Sequence, residues 1–211
     1  MIRTLPRVVP AEPGKPVRPE ATASQHESAA IAENPAVWSG AAARKVVRRY
    51  SELAPSWDGE RGGYRPVPLA DALARGGPFP DGPCVEAGAG TGLLTPLLRA
   101  VWPRVVSLDL TREMIRRSPA AWRLIADASR LPLPDGTAAA VVLADVPLFA
   151  PEVVRVLAPA GVVVWSNALG TDAPHHVPVA TVLASLNRHT PTPFTAVTAE
   201  AGWGLWAVLR R

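Results

Sequence analysis

The residues with the clearest chemical potential are an acid and three glycines, Glu86, Gly88, Gly90 and Gly92, where a predicted strand runs into a predicted helix. Glycines in such a turn permit a positive φ and let the main chain approach a ligand, while the helix N-terminus offers unpaired N–H groups. A nucleotide-like ligand is therefore expected here. The spacing departs from the dinucleotide fingerprint G-x-G-x-x-G, and no lysine follows the glycines as a Walker loop requires.

Acidic residues also end the next three predicted strands. Asp109 lies 17 residues after Gly92, and Asp127 and Asp145 follow the third and fourth strands. Each feature also has a structural interpretation: the glycines as a tight connection, Asp109 as a helix cap beside Thr111, and Asp127 as a turn cap. Four such features at four successive strand ends, on the edge where open parallel sheets bind ligands, favour a binding site.

These residues carry a resemblance to a known family. The glycine turn has the pattern E-x-G-x-G-x-G, and over residues 50–211 the chain resembles the class I S-adenosylmethionine-dependent methyltransferases, of the methyltransferase type 11-like group. Residues 50–58 are similar to the pattern Y-D-x-x-A-x-x-Y-D, with Ser51 and Trp57 in place of Asp and Tyr. Residues 156–164 are similar to V-L-x-P-G-G-x-x-x, with Ala160 in place of the first glycine.

The resemblance implies roles for the residues of the site. Glu86 would lie near the methionine end of S-adenosylmethionine, Asp109 would accept hydrogen bonds from the two ribose hydroxyls, and Leu110 would pack on the adenine. The remaining cofactor-binding residues implied by the family are the turn residues Gly88, Ala89, Gly90 and Gly92, the adenine-reading pair Asp127 and Ala128, the methyl-transfer residues Asp145 and Val146, and the covering residues Tyr50 and Trp57.

The chemistry of methyl transfer places few demands on side chains. Transfer from a sulfonium is an in-line displacement, so alignment and desolvation are the main contributions, with a base only where the nucleophile needs one. His175 and His176 follow the fifth predicted strand in a loop expected at the mouth of the site, and either could deprotonate a hydroxyl. The alternative is two solvated loop histidines. No metal site is predicted, because the one cysteine, Cys84, cannot form a cysteine-based site.

The acceptor is predicted to be a small molecule. The segment 145–148 lacks the second proline and the aromatic residue of amino-directed nucleic-acid methyltransferases. Only about 25 residues separate the fifth predicted strand from the sixth, too few for a recognition domain. Two alternatives stay open: an RNA or protein methyltransferase using the basic residues Arg44, Lys45, Arg48 and Arg49, and a silent S-adenosylmethionine-binding regulatory module. Nucleic acid is the less favoured partner, because no aromatic residues interleave the basic cluster.

The elements that must position these residues follow from hydrophobic patterning. Short apolar runs alternate with helical stretches, which predicts an α/β Rossmann-like methyltransferase fold: a seven-stranded, mostly parallel sheet with an antiparallel C-terminal hairpin strand and helices on both faces. The predicted strands span residues 84–87, 105–108, 123–126, 139–143, 162–166, 194–200 and 205–209. A helix is predicted to begin at Asn34 and Pro35 and to end before Pro55.

Composition sets the remaining expectations. The 211 residues are 48% apolar with a net charge of +4, enough for a substantial core and without the apolar run of a membrane span. Five regularly spaced prolines predict that residues 1–33 are a flexible tail, followed by an N-terminal helical cover over 34–80 and an S-adenosylmethionine-binding domain over 81–211. The cytoplasm is the expected compartment, because no secretory apolar core begins the sequence.

Overall fold

The computed structural model describes residues 1–17 and 21–211. Within them the chain forms one sheet with the strand order β1-β7-β8-β6-β5-β2-β3-β4. The strands are β1 (Ile2–Thr4), β2 (Cys84–Ala87), β3 (Val105–Asp109), β4 (Trp122–Ile125), β5 (Ala138–Ala144), β6 (Leu157–Asn167), β7 (Thr195–Ala201) and β8 (Gly204–Arg210). The helices are α1 (Ala21–Glu33), α2 (Gly40–Leu53), α3 (Trp57–Arg61), α4 (Pro66–Arg75), α5 (Thr95–Arg99), α6 (Arg112–Ile115), α7 (Ala150–Val156) and α8 (Val179–Asn187).

The sheet has the predicted α/β, Rossmann-like topology. β2 lies between β3 and β5 and pairs in parallel with both, while β4 and β6 extend the parallel set on either side. β8 pairs antiparallel with β6 and with β7 across the turn at Gly202, which confirms the C-terminal hairpin. The carboxyl ends of β2, β3, β4 and β5 therefore lie along one edge, where the predicted acids follow them.

The strand count differs from the prediction. The described residues form eight strands rather than seven, because Ile2–Thr4 pairs in parallel with Ala196–Thr198 of β7. Without β1, the outer side of β7 would be an open sheet edge with free N–H and C=O groups, and such edges readily accept another strand. Leu5 and Val9 then pack against the apolar cluster on one sheet face, so burial supports the pairing.

The prediction of a flexible tail over residues 1–33 is wrong for β1 and α1. The helix α1 buries Ile31 and Ala32, and the Oγ of Ser185 and a guanidinium N–H of Arg188 both donate to the carbonyl of Ala32. The N-terminal segment has few large apolar residues of its own, but it buries those it has against a surface formed by the rest of the chain. Arg18, Pro19 and Glu20, counted within the predicted tail, lie outside the described residues, and the boundaries at 34 and 81 stay predictions.

The core has one apolar cluster on each face of the sheet. Val85 and Val141 belong to the cluster covered by α7 and α8, whereas their neighbours Cys84 and Val142 belong to the cluster covered by α4 and α5. This alternation follows from the period of two along a strand. No helix among residues 1–17 and 21–211 is long and apolar enough to cross a membrane.

The N-terminal cover departs locally from the predicted helix. Asn34 caps only a 3-10 turn over Pro35–Val37, and α2 begins six residues later, where the Oγ of Ser39 accepts a hydrogen bond from the N–H of Ala42 at 3.2 Å. The helix reaches Leu53, so its predicted end before Pro55 is confirmed. α2 and α3 lie over the carboxyl edge of the sheet, where their side chains line a cavity.

Candidate active site

A cavity opens at the carboxyl edge of the parallel strands. It encloses about 1220 Å³ including its open mouth. The predicted site residues that line it are Tyr50, Trp57, Gly88, Gly90, Asp109, Leu110, Asp127, Ala128, Asp145, Val146 and His175. A smaller recess beside the glycine turn is lined by Glu86, Ala89 and Arg65 among others.

The three glycines of the turn have two different roles. Gly88, Gly90 and Gly92 all have positive φ, which L-residues with side chains rarely adopt. A Cβ on Gly88 would lie 2.2 Å from Val146, and one on Gly92 would lie 2.3 Å from Ser118, so these two glycines allow close packing within the protein. At Gly90 the nearest atom would be the Trp57 Nε1 at 3.9 Å. Gly90 therefore leaves main chain open to the cavity, whereas Gly92 does not line it.

Asp109 is oriented toward the cavity by the backbone. Its Oδ2 accepts the N–H of Gly90 at 2.8 Å, and its Oδ1 accepts the N–H of Thr111 at 2.7 Å. Burial raises the pKa of the Asp109 carboxyl, and the two N–H donors oppose that rise. The cap interpretation is thus correct in part, because Asp109 binds Thr111 while it also lines the cavity. Each oxygen keeps a lone pair for a ligand hydroxyl.

Glu86 is buried beneath the glycine turn. Its Oε2 accepts hydrogen bonds from the Thr95 Oγ1 at 2.6 Å and from the Ser107 Oγ at 2.7 Å, and Oε1 has no partner within the described part of the chain. Burial raises the pKa of Glu86 to about 7, although these hydroxyls lower it. A cation in the neighbouring recess would favour the ionised form. Ala89 is held by its own N–H, which donates to the carbonyl of Leu108 at 2.9 Å.

Asp127 faces an aromatic residue of the cover. Its Oδ2 accepts the indole N–H of Trp38 at 2.9 Å, and its Oδ1 accepts the N–H of Ser129 at 2.8 Å, which is the predicted turn cap. Trp38 also packs edge-on against Phe149, with ring centroids 5.5 Å apart. The wall after β4 is thereby closed by a residue from the segment before α2.

Asp145 occupies a strained position directly after β5. It has a φ of +54°, which only a few per cent of non-glycine residues adopt, and Asp is among those that tolerate it. Its carboxylate accepts the N–H of Ala168 at 3.1 Å and forms an ion pair with Arg65, with 3.0 Å between Nη1 and Oδ2. Strain of this kind needs surrounding contacts to hold it and is concentrated at functional sites.

The cover carries aromatic and cationic groups together. The rings of Tyr50 and Trp57 lie 5.5 Å apart, and the guanidinium of Arg61 lies 4.3 Å from the Trp57 ring centroid. Arg65 lies on the same ring at 5.2 Å. Sequence reasoning missed Arg61 and Arg65. The spacing of Arg61 four residues after Trp57 was a usable signal, because residues four apart share a helix face, whereas Arg65 lies beyond the end of α3.

The two histidines are separated. His175 lines the cavity, with its Nε2 3.1 Å from the Tyr50 Oη and its Nδ1 2.9 Å from the Ser28 Oγ. Burial lowers the pKa of His175 to about 4. His176 does not line the cavity, and its Nδ1 lies 3.1 Å from the Asn167 Oδ1. No sequence signal pointed to Ser28, which lies in the segment predicted to be flexible.

Comparison with known proteins agrees with this geometry. Residues 85–165 match the family described as a methyltransferase domain. The chain is 31% identical over 133 residues to the malonyl-[acyl-carrier protein] O-methyltransferase of Serratia marcescens, a match that covers 58% of this chain and 52% of that protein. The chain thus spans about half the length of the curated relative it matches.

Solved structures share the fold. An S-adenosylmethionine-dependent methyltransferase from Thermotoga maritima aligns with a TM-score of 0.60 at 14% identity, over 76% of this chain and 97% of its own. One from Aquifex aeolicus aligns with a TM-score of 0.59 at 17% identity and the same coverage. By the domain match and the fold together, residues 85–165 are a methyltransferase domain, and the chain has the fold of the class I S-adenosylmethionine-dependent methyltransferases.

Proposed function

We propose that this chain transfers the methyl group of S-adenosylmethionine to a small-molecule acceptor. The observation that carries the proposal is the pairing of Gly90 with Asp109 in the cavity wall. Gly90 leaves its backbone open at positive φ, and its N–H orients the Asp109 carboxylate beside that opening. An open main chain next to an oriented carboxylate suits a nucleoside ribose.

The residues around the cavity fit the cofactor by their chemistry. Asp109 retains acceptor capacity for two ribose hydroxyls, and Leu110 and Ala128 offer apolar surface for a base. Glu86 keeps one carboxylate oxygen without a described partner in the side recess, where an ammonium group would be paired with it. When bound, S-adenosylmethionine supplies a methyl group on a positively charged sulfur. Glu86, Gly88, Ala89, Gly90, Asp109, Leu110, Asp127 and Ala128 would hold it.

The protein's own contribution is alignment and exclusion of water. The cover residues Trp38, Tyr50 and Trp57 close the cavity over the strand ends, which lowers the local dielectric and fixes the bound groups. Asp145 and Val146 follow β5 at the wall that would face the acceptor. Gly92 and His176 fall outside this lining, so we assign Gly92 to packing of the turn and His176 to the support of Asn167.

A small acceptor is favoured by the short connection between β6 and β7 and by the relative. Only the loop after β6, α8 and a short connection separate β6 from β7, so no recognition domain is inserted there. The Serratia marcescens relative acts, by its name, on a malonyl group and transfers to oxygen. An RNA or protein acceptor, and a binding module without transfer, are the alternatives that the experiments must separate.

The first experiment measures cofactor binding by calorimetry and by melting temperature. S-adenosylmethionine should bind and raise the melting temperature, whereas NAD should do neither, because the turn lacks the dinucleotide spacing. Asp109→Ala should weaken binding by about 1.5–3 kcal/mol, or roughly 13- to 150-fold in Kd. The matched control is Asp81→Ala, which removes an exposed carboxylate away from the cavity and should bind like the parent.

The second experiment measures transfer of labelled methyl to small acids, alcohols and amines, and to RNA and a test protein. Transfer to a small molecule supports the proposal. Salt-sensitive binding and methylation of RNA would select the alternative that uses the basic residues of α2. Binding of S-adenosylmethionine without transfer to any acceptor would leave the regulatory module, and stabilisation by NAD alone would overturn the assignment.

A further inference from the structure

The strand β4 exposes large apolar side chains at one end of the sheet. Trp122, Leu124 and Ile125 are 49%, 39% and 59% exposed, and the fourth residue of the strand is exposed as well. β4 pairs with β3 on one side only, and no other strand of residues 1–17 and 21–211 lies along its outer edge. We call this outer edge of Trp122–Ile125 the β4 edge. Exposed apolar groups clustered in this way mark interaction sites.

The main chain of the β4 edge is available for pairing. The N–H of Ala126 donates to the carbonyl of Asp109 in β3 at 3.0 Å. Every second residue of a strand directs its N–H and C=O to the same neighbour, so those of Arg123 and Ile125 point away from β3. These outward groups make no hydrogen bond within the part of the chain that the structure describes. Unpaired groups of this kind are a template for another strand.

The strand has little of the protection that edge strands usually carry. Charged side chains, prolines and bulges normally prevent an edge from pairing with another chain. β4 contains no proline, and its register with β3 has no irregularity. Arg123 is its one charged residue, and the guanidinium is turned back onto the carbonyls of Arg116 and Ser118, at 3.3 Å and 3.0 Å. The β4 edge is therefore open both in its backbone and in its side chains.

Basic residues surround this edge. Residues 109–130 contain five arginines and three acids, and all five arginines are exposed. None of the five forms an ion pair with any residue of 1–17 or 21–211. Arg116 and Arg117 lie next to the strand, because the Arg123 side chain binds the carbonyl of Arg116. The arginines are Arg112, Arg116, Arg117, Arg123 and Arg130.

The three acids reduce this positive charge without cancelling it. Asp109 and Asp127 line the cavity, where backbone N–H groups and the Trp38 indole bind their carboxylates. Glu113 accepts a hydrogen bond from the Ser51 hydroxyl at 2.8 Å and acts on Arg112 and Arg116. Even when all three acids are counted, the segment keeps an excess of two positive charges. An acidic partner is therefore favoured by charge complementarity.

A second copy of the chain suits the β4 edge poorly. Two β4 strands related by a two-fold axis would pair antiparallel and bring two positively charged segments together. The net charge of +4 on each chain would add to this repulsion. Like charges that face each other across a strand pair are destabilising.

We propose that the β4 edge binds an extended acidic segment of a partner protein, which joins the sheet as an additional strand. The partner's main chain would pair with Arg123 and Ile125. Its apolar side chains would cover Trp122 and Leu124, and its carboxylates would lie near Arg117. This inference concerns a surface outside the cavity and does not depend on methyl transfer.

The first experiment selects peptides that need the outward N–H of residue 125. A displayed library of random peptides of about ten residues is selected on the full chain, and peptides that also bind the Ile125→Pro protein are removed. Proline removes that N–H but leaves the ladder with β3 intact, because the N–H points away from β3. Ile125→Thr keeps the N–H and is the matched control. The melting temperatures of both variants show whether they are folded.

The selected peptides should alternate apolar with acidic residues. We expect them to bind the Ile125→Pro protein about tenfold or more weakly than the parent, and the Ile125→Thr protein within about threefold of it. One selected peptide is then synthesised in two forms, N-methylated on its odd or on its even residues. Only alternate N–H groups of an added strand face β4, so one form should lose binding and the other should keep it.

A charge reversal tests the edge without changing its backbone. Arg117→Glu should weaken binding of the selected peptide about tenfold, and the parent's affinity should fall as the salt concentration rises. Arg3→Glu is the matched control, because Arg3 is an exposed arginine on β1, the strand at the opposite end of the sheet. It should bind the peptide like the parent. This comparison also decides the proposal if Ile125→Pro does not fold.

Several results would overturn the proposal. These are the failure to select any peptide that separates the parent from Ile125→Pro or Arg117→Glu, the enrichment of basic peptides, and equal binding of the two N-methylated forms. A dimer in sedimentation that Ile125→Pro abolishes would assign the edge to a second copy. Binding of a ten-nucleotide oligouridylate that Trp122→Ala abolishes would assign it to RNA. Methyl transfer is measured separately, and its absence would refute the proposed function while leaving this inference intact.

Discussion

Replacement of Ile31 by alanine tests whether α1 is an integral part of the folded domain. Ile31 is only 4% exposed, and α1 is fixed by the hydrogen bonds that Gln25 donates to the carbonyls of Thr171 and Ala173. Truncation of a buried isoleucine costs about 2–5 kcal/mol, from lost transfer free energy and from the cavity left behind. For a domain of this size, each kcal/mol lowers the melting temperature by about 2–4 °C, so the expected fall is roughly 4–20 °C.

The measurement is urea unfolding at 25 °C together with a thermal scan. The loss has an upper limit, because α1 can undock by itself once that costs less than unfolding the domain. Val37→Ala is the matched control: Val37 is 51% exposed, and its truncation should change the free energy of unfolding by less than about 0.5 kcal/mol. An Ile31→Ala protein as stable as the Val37→Ala protein would refute the docking of α1, and with it the contact between Ser28 and His175.

Two further predictions concern the glycine turn. Because burial raises the folded pKa of Glu86 to about 7 from an ordinary 4.5, its stabilising contribution is complete below about pH 4.5 and is lost as the pH rises through 7. Glu86→Gln should abolish this loss of stability, which is worth on the order of 3 kcal/mol at pH 8. The measurement is the free energy of unfolding of both proteins from pH 5 to 8, and parallel curves would contradict the prediction. S-adenosylmethionine binding at pH 7 should also release protons from the parent but not from Glu86→Gln, as calorimetry in buffers of different ionisation enthalpy would record. Gly90→Ala should cost about 1–2 kcal/mol of stability, because Gly90 has a left-handed backbone conformation, and it should also weaken cofactor binding. Gly63→Ala, with open space around its Cβ, should do neither. Equal cofactor affinities of the two variants would mean that Gly90 serves only to connect β2 to the following helix.

Much of the fold could be predicted from the sequence because its signals are local. The strand Cys84–Ala87 was predicted with its bounds, and the C-terminal hairpin within one residue, since apolar runs between turn residues mark strands directly. β6 begins at Leu157 rather than at 162. Leu157 pairs with Ala138 of β5, and a register irregularity separates this pair from the regular pairing that begins at Val162. The pairing of β1 with β7 left no local signal, since it depends on an edge built by residues almost 200 positions away.

The residues of the site also divide into those that the sequence predicts and those that it does not. Asp109 and Asp127 could be predicted because each follows its own strand, and the sheet brings strand ends together. The chain from Ser28 through His175 to Tyr50 could not be predicted, because it needs the docking of a helix whose alanine and serine residues carry no amphipathic pattern. The different roles of Gly90 and Gly92 are likewise set by what lies opposite each of them, the open cavity in one case and Ser118 in the other.

The pairing of β1 with β7 also has a consequence for the order in which the protein forms during synthesis. A ribosome releases β1 almost 200 residues before β7, so Ile2–Thr4 has no partner until β7 has emerged. The central strands β2, β3 and β5 can pair earlier, because the segments that join them are shorter. Closure of the sheet by β1 therefore follows the docking of α1, because α1 binds residues 171–188, which emerge before β7. The cavity that α1 helps to complete can thus form while the outer side of β7 is still open.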